Sequence, residues 1–180
     1  MSDASSIILT SARDRFAQYR HLAEGALAQV DDDAFFQRLG PGSEPLAILV
    51  KHVGGNLRSR WRDFLTTDGE KPDRQRDTEF ELSPVDTRAS LMAQWDTGWR
   101  HCLESLDALS AEHATTTVTI RGEPLSVIDA THRSLAHTAY HVGQIVLLAK
   151  HLAGPRWRTL SIPRGGSEQY DPRASGGDGT

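Results

Sequence analysis

The chain is short of several things, and each shortage excludes something. It has one cysteine, Cys102. A single thiol closes no internal disulfide, which fits a reducing compartment. Its apolar runs, such as Ile145 to Leu148, are far too short to cross a bilayer, so no membrane partner is expected. It lacks a basic excess: net charge is −4 and pI near 6.0. Nucleic-acid binders carry a basic patch, so no nucleic-acid partner is expected either. The opening Met-Ser-Asp-Ala-Ser-Ser has neither a basic n-region nor an apolar h-region, so no signal peptide is read and a cytoplasmic location is expected.

What remains is ordinary for a globular domain. The 180 residues are 38% hydrophobic and 24% charged, enough for one domain with its own core. No internal repeat or linker divides the chain, so a single domain is expected over 1–170. Residues 171–180 hold three glycines and no large apolar side chain, and are expected to be a disordered tail. Histidine is the one excess, at eight residues.

Periodicity predicts four long helices. The first spans about Ser6 to Val30, with Leu9, Ala12, Phe16, Ala23 and Leu27 at three- and four-residue spacing. The second opens at Ser43-Glu44-Pro45, where a serine cap, an acid and a proline suit a first turn, and runs to about Thr66. Two mid-helix glycines, Gly54-Gly55, cost about 1 kcal/mol each against alanine. They point to close approach by another element, or to room beside His52. Thr67 to Leu82 is a long polar connection. The third helix opens at Ser83-Pro84-Val85-Asp86 and runs to about Leu109. It carries Leu91, Trp95, Trp99, Cys102 and Leu106 inward; Cys102 there is read as a small core residue. Thr115 to Ile120 is β-branched almost throughout and reads as a short extended segment before the last helix. That helix opens at Ser126-Val127-Ile128-Asp129 and ends at Gly154-Pro155, and an irregular C-terminal segment follows. The expected class is all-α, a four-helix bundle.

The chemistry concentrates in Leu135 to Leu148. His137 and His141 stand one turn apart, so both imidazoles leave the same side, roughly 6 Å apart along the axis. Thr138 follows the first histidine, where the metalloprotease helix has glutamate. On a wheel of about 100° per residue, the pair lies at the edge of the apolar stripe, with Gln144 on the same side. His52 occupies the same edge of the second helix. Three histidines facing a groove between two helices would give a divalent ion three protein ligands and an open position. Periodicity alone favours an exposed or core-edge pair without metal.

His52, the later His137-Thr-Ala-Tyr-His141-Val-Gly-Gln144 and the four-helix length together resemble the DinB-like proteins, which include the bacillithiol and mycothiol S-transferases. Lys71-Pro72, Arg74, Arg76-Asp77 and Ser161-Ile162-Pro163-Arg164-Gly165 resemble a branch of that family without an assigned reaction. The resemblance implies a divalent ion, zinc or nickel, on His52, His137 and His141. It also implies a homodimer, a low-molecular-weight thiol as cosubstrate and a small-molecule substrate. The implied reaction is metal-dependent thiol S-transfer. A metal-dependent hydrolase using an activated water, or a non-enzymatic metal-binding bundle, fits the same ligands. Gln144 is a candidate for support of the ligands. Arg74, Arg76 and Arg164 are candidates for holding carboxylates by bidentate contacts.

Overall fold

The computed structural model describes residues 4–169; the tail expected to be disordered, 171–180, lies outside them. Among the described residues the chain is mostly helical, with five α-helices and one two-stranded sheet. Four helices are long: α1 (Ala4–Leu27), α3 (Leu46–Trp61), α4 (Arg88–Asp107) and α5 (Val127–Ala153). A fifth, α2 (Asp32–Phe36), is a single turn and a half, capped by the Asp31 side chain, which accepts from the Ala34 N–H at 2.9 Å. Its acids stand in the first turn, where the helix dipole favours them. None of the described helices is long and apolar enough to cross a membrane.

The long helices contact one another in a closed order: α1 on α5, α5 on α3, α3 on α4, and α4 back on α1. Their apolar stripes meet in one core. Phe16 lies edge-on to Trp61 and Trp99, with ring centroids 5.6 and 6.3 Å apart, and Trp95 packs against Trp99. All four are fully buried, as their stripe positions predict. Cys102 is fully buried among them, and burial pushes its thiol well above the ordinary range. It is a core residue. α3 and α4 approach closely enough for backbone to meet backbone. A Cβ on Gly54 would sit 3.0 Å from the Trp95 Cα, and one on Gly98 would collide with the Gly54 carbonyl. Glycine is kept at both positions because backbone meets backbone there.

Three helix ends differ from the sequence expectation. Ser43 does not cap α3. Its hydroxyl closes the preceding turn on Gly40, at 2.9 Å to the carbonyl, and Pro45 takes the cap position without a side-chain bond. α3 stops at Trp61 rather than near Thr66, because Asp63 turns the chain at φ +50. α4 starts at Arg88, not at Ser83. Thr87 and Ser90 form its capping box, while Asp86 is drawn into a tertiary ion pair with Lys51 at 2.8 Å. The start of α5 is as expected: Ser126 accepts from the Asp129 N–H.

The extended segment proves to be half of a hairpin, β1 (Thr117–Ile120) with β2 (Glu123–Ser126), antiparallel with Val118 opposite Leu125. Its two-residue turn, Arg121-Gly122, has φ +56 and +74, the mirror-image turn that matches strand twist. The Asp68 carboxylate accepts from both turn N–H groups at 2.8 Å, and the Gly69 N–H donates to the Thr119 carbonyl. The long connection is therefore tied to the hairpin, and Arg76–Phe80 winds into a short 3-10 helix packed on α3. After Gly154–Arg156 the chain doubles back. Trp157 and Leu160 pack on the core, whereas Ile162 is exposed.

Candidate metal centre

His52 lies in the middle of α3, and His137 and His141 on one side of α5. The contact between these two helices brings all three together. One ring nitrogen from each lies within 4.8 Å of the other two, so the three can form a metal site. The His52 and His137 Nε2 atoms are 3.2 Å apart. Two ligands of a tetrahedral ion with metal–nitrogen bonds near 2.0–2.1 Å stand about 3.3 Å apart, so this pair already has the spacing. His21, His101, His113, His132 and His151 join no such cluster among the described residues.

Second partners orient two of the rings. The Glu79 carboxylate lies 2.8 Å from His52 Nδ1. A carboxylate only accepts, so Nδ1 carries the proton and Nε2 presents its lone pair. The Gln144 side-chain oxygen lies 2.8 Å from His141 Nδ1, which leaves the His141 Nε2 lone pair free in the same way. Burial depresses the His137 pKa to about 3, with His141, His52, Arg74 and Arg60 adding in the same direction. Burial and His52 also lower His141, against the Gln144 hydrogen bond. Both are neutral at pH 7, the form a metal requires.

His52 is only 4% exposed, deeper than a stripe-edge position implies. The reason is the connection, which no helical wheel contains. Phe80 lays its ring 4.6 Å from the His52 ring, and Glu79, itself buried, closes in behind. Gly55 makes room for this: a Cβ there would collide with Glu79 Oε1. So the glycine pair serves both ends named in the sequence reading, Gly54 for helix approach and Gly55 for space beside His52.

The expected supporting residues divide three ways. Gln144 is brought to His141. Arg74 is buried behind Glu79, donating Nε and Nη2 to its two oxygens at 2.8 Å each and Nη1 toward Glu70. Its fork is occupied, so it positions Glu79 and takes no ligand carboxylate. Burial raises the Glu79 carboxyl, but Arg74 and His52 outweigh it and hold it below the ordinary carboxylate range. Arg76 stacks over Phe80, 5.1 Å from the ring centre, at the edge of a cavity of about 250 Å³ lined by His52 and His137. Arg164 is exposed in the C-terminal segment and does not line that cavity.

Sequence reading missed Glu79 and Phe80, along with the other groups at the cavity. Asn56 follows His52 by one turn, and Arg133 and Ser134 precede His137 by one turn; all three line the cavity. Spacing could have found these three. Glu79, in a polar connection, carries no periodic signal at all.

No curated protein and no solved structure matches the chain. Residues 3–166 match the profile of a family described as a protein of unknown function, DUF1572, and the chain belongs to that family.

Proposed function

We propose that the chain is a metal-dependent thiol S-transferase of the DinB-like kind, a four-helix bundle whose His52, His137 and His141 hold one zinc or nickel ion. The observation that carries the reading is the convergence of three imidazole nitrogens within 4.8 Å, two of them with Nδ1 engaged by Glu79 and Gln144. A structural ion takes four protein ligands; three with an adjoining cavity leave a position for substrate. The closed order of helix contacts supports the bundle reading. When bound, the metal supplies Lewis acidity that lowers a thiol's pKa and so provides the nucleophilic thiolate.

The protein's own part is positional. Arg74 and Glu79 fix the His52 ring, Gln144 fixes the His141 ring, and Phe80 shields His52 from water. Among the described residues no aspartate or glutamate lines the cavity, and Glu79 is committed to Arg74 and His52. A coordinated thiol would release its proton to solvent outright, whereas a coordinated water would reach only a pKa of about 7 with no side-chain base beside it, which favours transfer over hydrolysis. The homodimer implied by the resemblance belongs to the same proposal.

The test is metal content, measured on protein purified without a metal-binding tag. Wild type is expected to carry about one zinc or nickel ion per chain, and His52→Ala, His137→Ala and His141→Ala to lose it. Equal metal in all four, or none in wild type, sinks the triad. A panel of low-molecular-weight thiols with a generic electrophile then tests the reaction. Metal-dependent acceleration by at least one thiol is expected, and its absence across the panel removes the transferase.

A further inference from the structure

Among the described residues five arginines, Arg60, Arg74, Arg76, Arg121 and Arg133, line the cavity beside His52 and His137, and no acid does. Their carboxylate partners stand behind them. Glu70 alone is shared by three: Arg60 at 3.0 Å, Arg121 at 3.1 Å and Arg74 at 3.3 Å. One carboxylate cannot cancel three guanidiniums. Glu79 offsets a second charge through Arg74, so the three guanidiniums outnumber the carboxylates paired with their side chains by one. Arg60 and Arg74 have side chains 13% and 4% exposed and are held in place.

Arg121 and Arg133 are different. Their side chains are 57% and 51% exposed. Arg121 gives Nε to Glu70 and Arg133 gives Nη1 to Glu123, which leaves the other nitrogens of each fork free among the described residues. Asn56, 7% exposed, also faces the cavity, and its amide has no side-chain hydrogen-bond partner among the described residues. Fixed positive charge at the back and free bidentate donors at the mouth form a receptor for an oxyanion, and a concave wall of one sign focuses the field on it.

We infer that this cavity binds an anionic group of the substrate, a carboxylate or a phosphate. Arg121 and Arg133 are its direct partners, and Arg60 and Arg74 the fixed charge behind them. The assignment of the anion to the substrate rests on the proposed metal site; the binding itself does not require metal.

The experiment is calorimetric titration of chelator-treated protein at low salt, with inorganic phosphate in one arm and malonate in the other. Saturable binding of one anion per chain is expected in at least one arm, and which arm responds names the oxyanion. Arg121→Gln and Arg133→Gln, both at exposed positions, should each weaken it about 5-fold or more. Arg100→Gln, an exposed control paired with Glu104, should leave it unchanged. No saturation in either arm below about 10 mM, wild-type affinity in both cavity variants, or an equal loss in the control overturns the inference. Metal content of the same proteins, measured before chelator treatment, separates the two readings. A failed metal centre shows as metal-free wild type with anion binding intact; a failed anion site shows as normal metal with no anion bound.

Discussion

Replacing Glu79 by glutamine keeps the shape of the side chain and removes its charge. In the native protein this carboxylate receives three bonds of 2.8 Å, from His52 Nδ1, Arg74 Nε and Arg74 Nη2. An amide oxygen in the place of Oε2 can still accept from His52 Nδ1 and Arg74 Nη2, but the charge and the Arg74 Nε bond are lost, so two separable losses are expected. The first falls on the metal. Weakening the group that orients a ligating histidine lowers metal affinity about 10- to 100-fold, or about 1.4–2.7 kcal/mol. The second falls on the fold. Arg74, with a side chain 4% exposed, would keep only Glu70 at 3.3 Å as a carboxylate partner. Stranding one member of a buried pair costs about 3–5 kcal/mol, and the remaining contact with Glu70 places this case near the lower figure. Competition with a chromophoric chelator reads the first quantity, and urea unfolding of the metal-free protein the second. Arg74→Met leaves Glu79 free to hold His52 and should lower stability while reducing metal affinity less than Glu79→Gln. If Glu79→Gln binds metal as wild type does, the carboxylate serves Arg74 alone, and the account of how His52 is oriented is wrong.

Two further expectations concern the fold. Gly98→Ala places a methyl group against the Gly54 carbonyl; overpacking costs about 1–3 kcal/mol and the gain in helix propensity is about 1 kcal/mol. The collision is with backbone, which puts the cost in the upper part of that range; a net loss of about 1–2 kcal/mol in urea unfolding is expected, and a neutral or stabilised variant would contradict the close approach of α3 and α4. The second concerns acid. His137 has a folded pKa of about 3 against an ordinary value near 6.5, so below pH 6.5 the unfolded chain takes up a proton that the folded protein refuses. Stability of the metal-free protein should be fully present above pH 6.5 and fall as pH drops toward 3. The slope from this residue is at most about 1.4 kcal/mol per pH unit. His137→Gln should flatten it, and an unchanged slope would assign the acid sensitivity elsewhere.

The parts of this protein legible in its sequence are those governed by local rules. Four long helices, the Ser126 cap, the buried tryptophans and the shared side of His137, His141 and Gln144 follow from spacing and capping chemistry. The Gly54-Gly55 pair was legible as a demand for space, though not as to what fills it. The misplaced starts of α3 and α4 share one cause. Ser43 and Ser83 satisfy the local pattern of a cap, but the neighbouring turn and the Lys51–Asp86 ion pair claim the groups that a cap would use. Glu79 lay beyond reach for a related reason. Its position in sequence is that of a solvated loop residue, and its burial arises only when the connection folds back over α3. A buried acid of this kind is defined by its partners, and they are 5 and 27 residues away.

The tie between the connection and the hairpin bears on how a molecule reaches His52 and His137. Asp68 gathers the N–H groups of Glu70, Arg121 and Gly122. Burial raises its carboxyl, but these hydrogen bonds together outweigh it and lower the pKa to about 2, so it stays ionised through any physiological pH. Together with the Gly69–Thr119 bond, it ties the connection and the hairpin into one wall of the cavity. The exposed Arg121 and Arg133 side chains on that cavity can turn in picoseconds to nanoseconds, whereas a backbone lid would open in microseconds to milliseconds, so an approaching molecule meets arginines that re-aim far faster than the wall behind them could move.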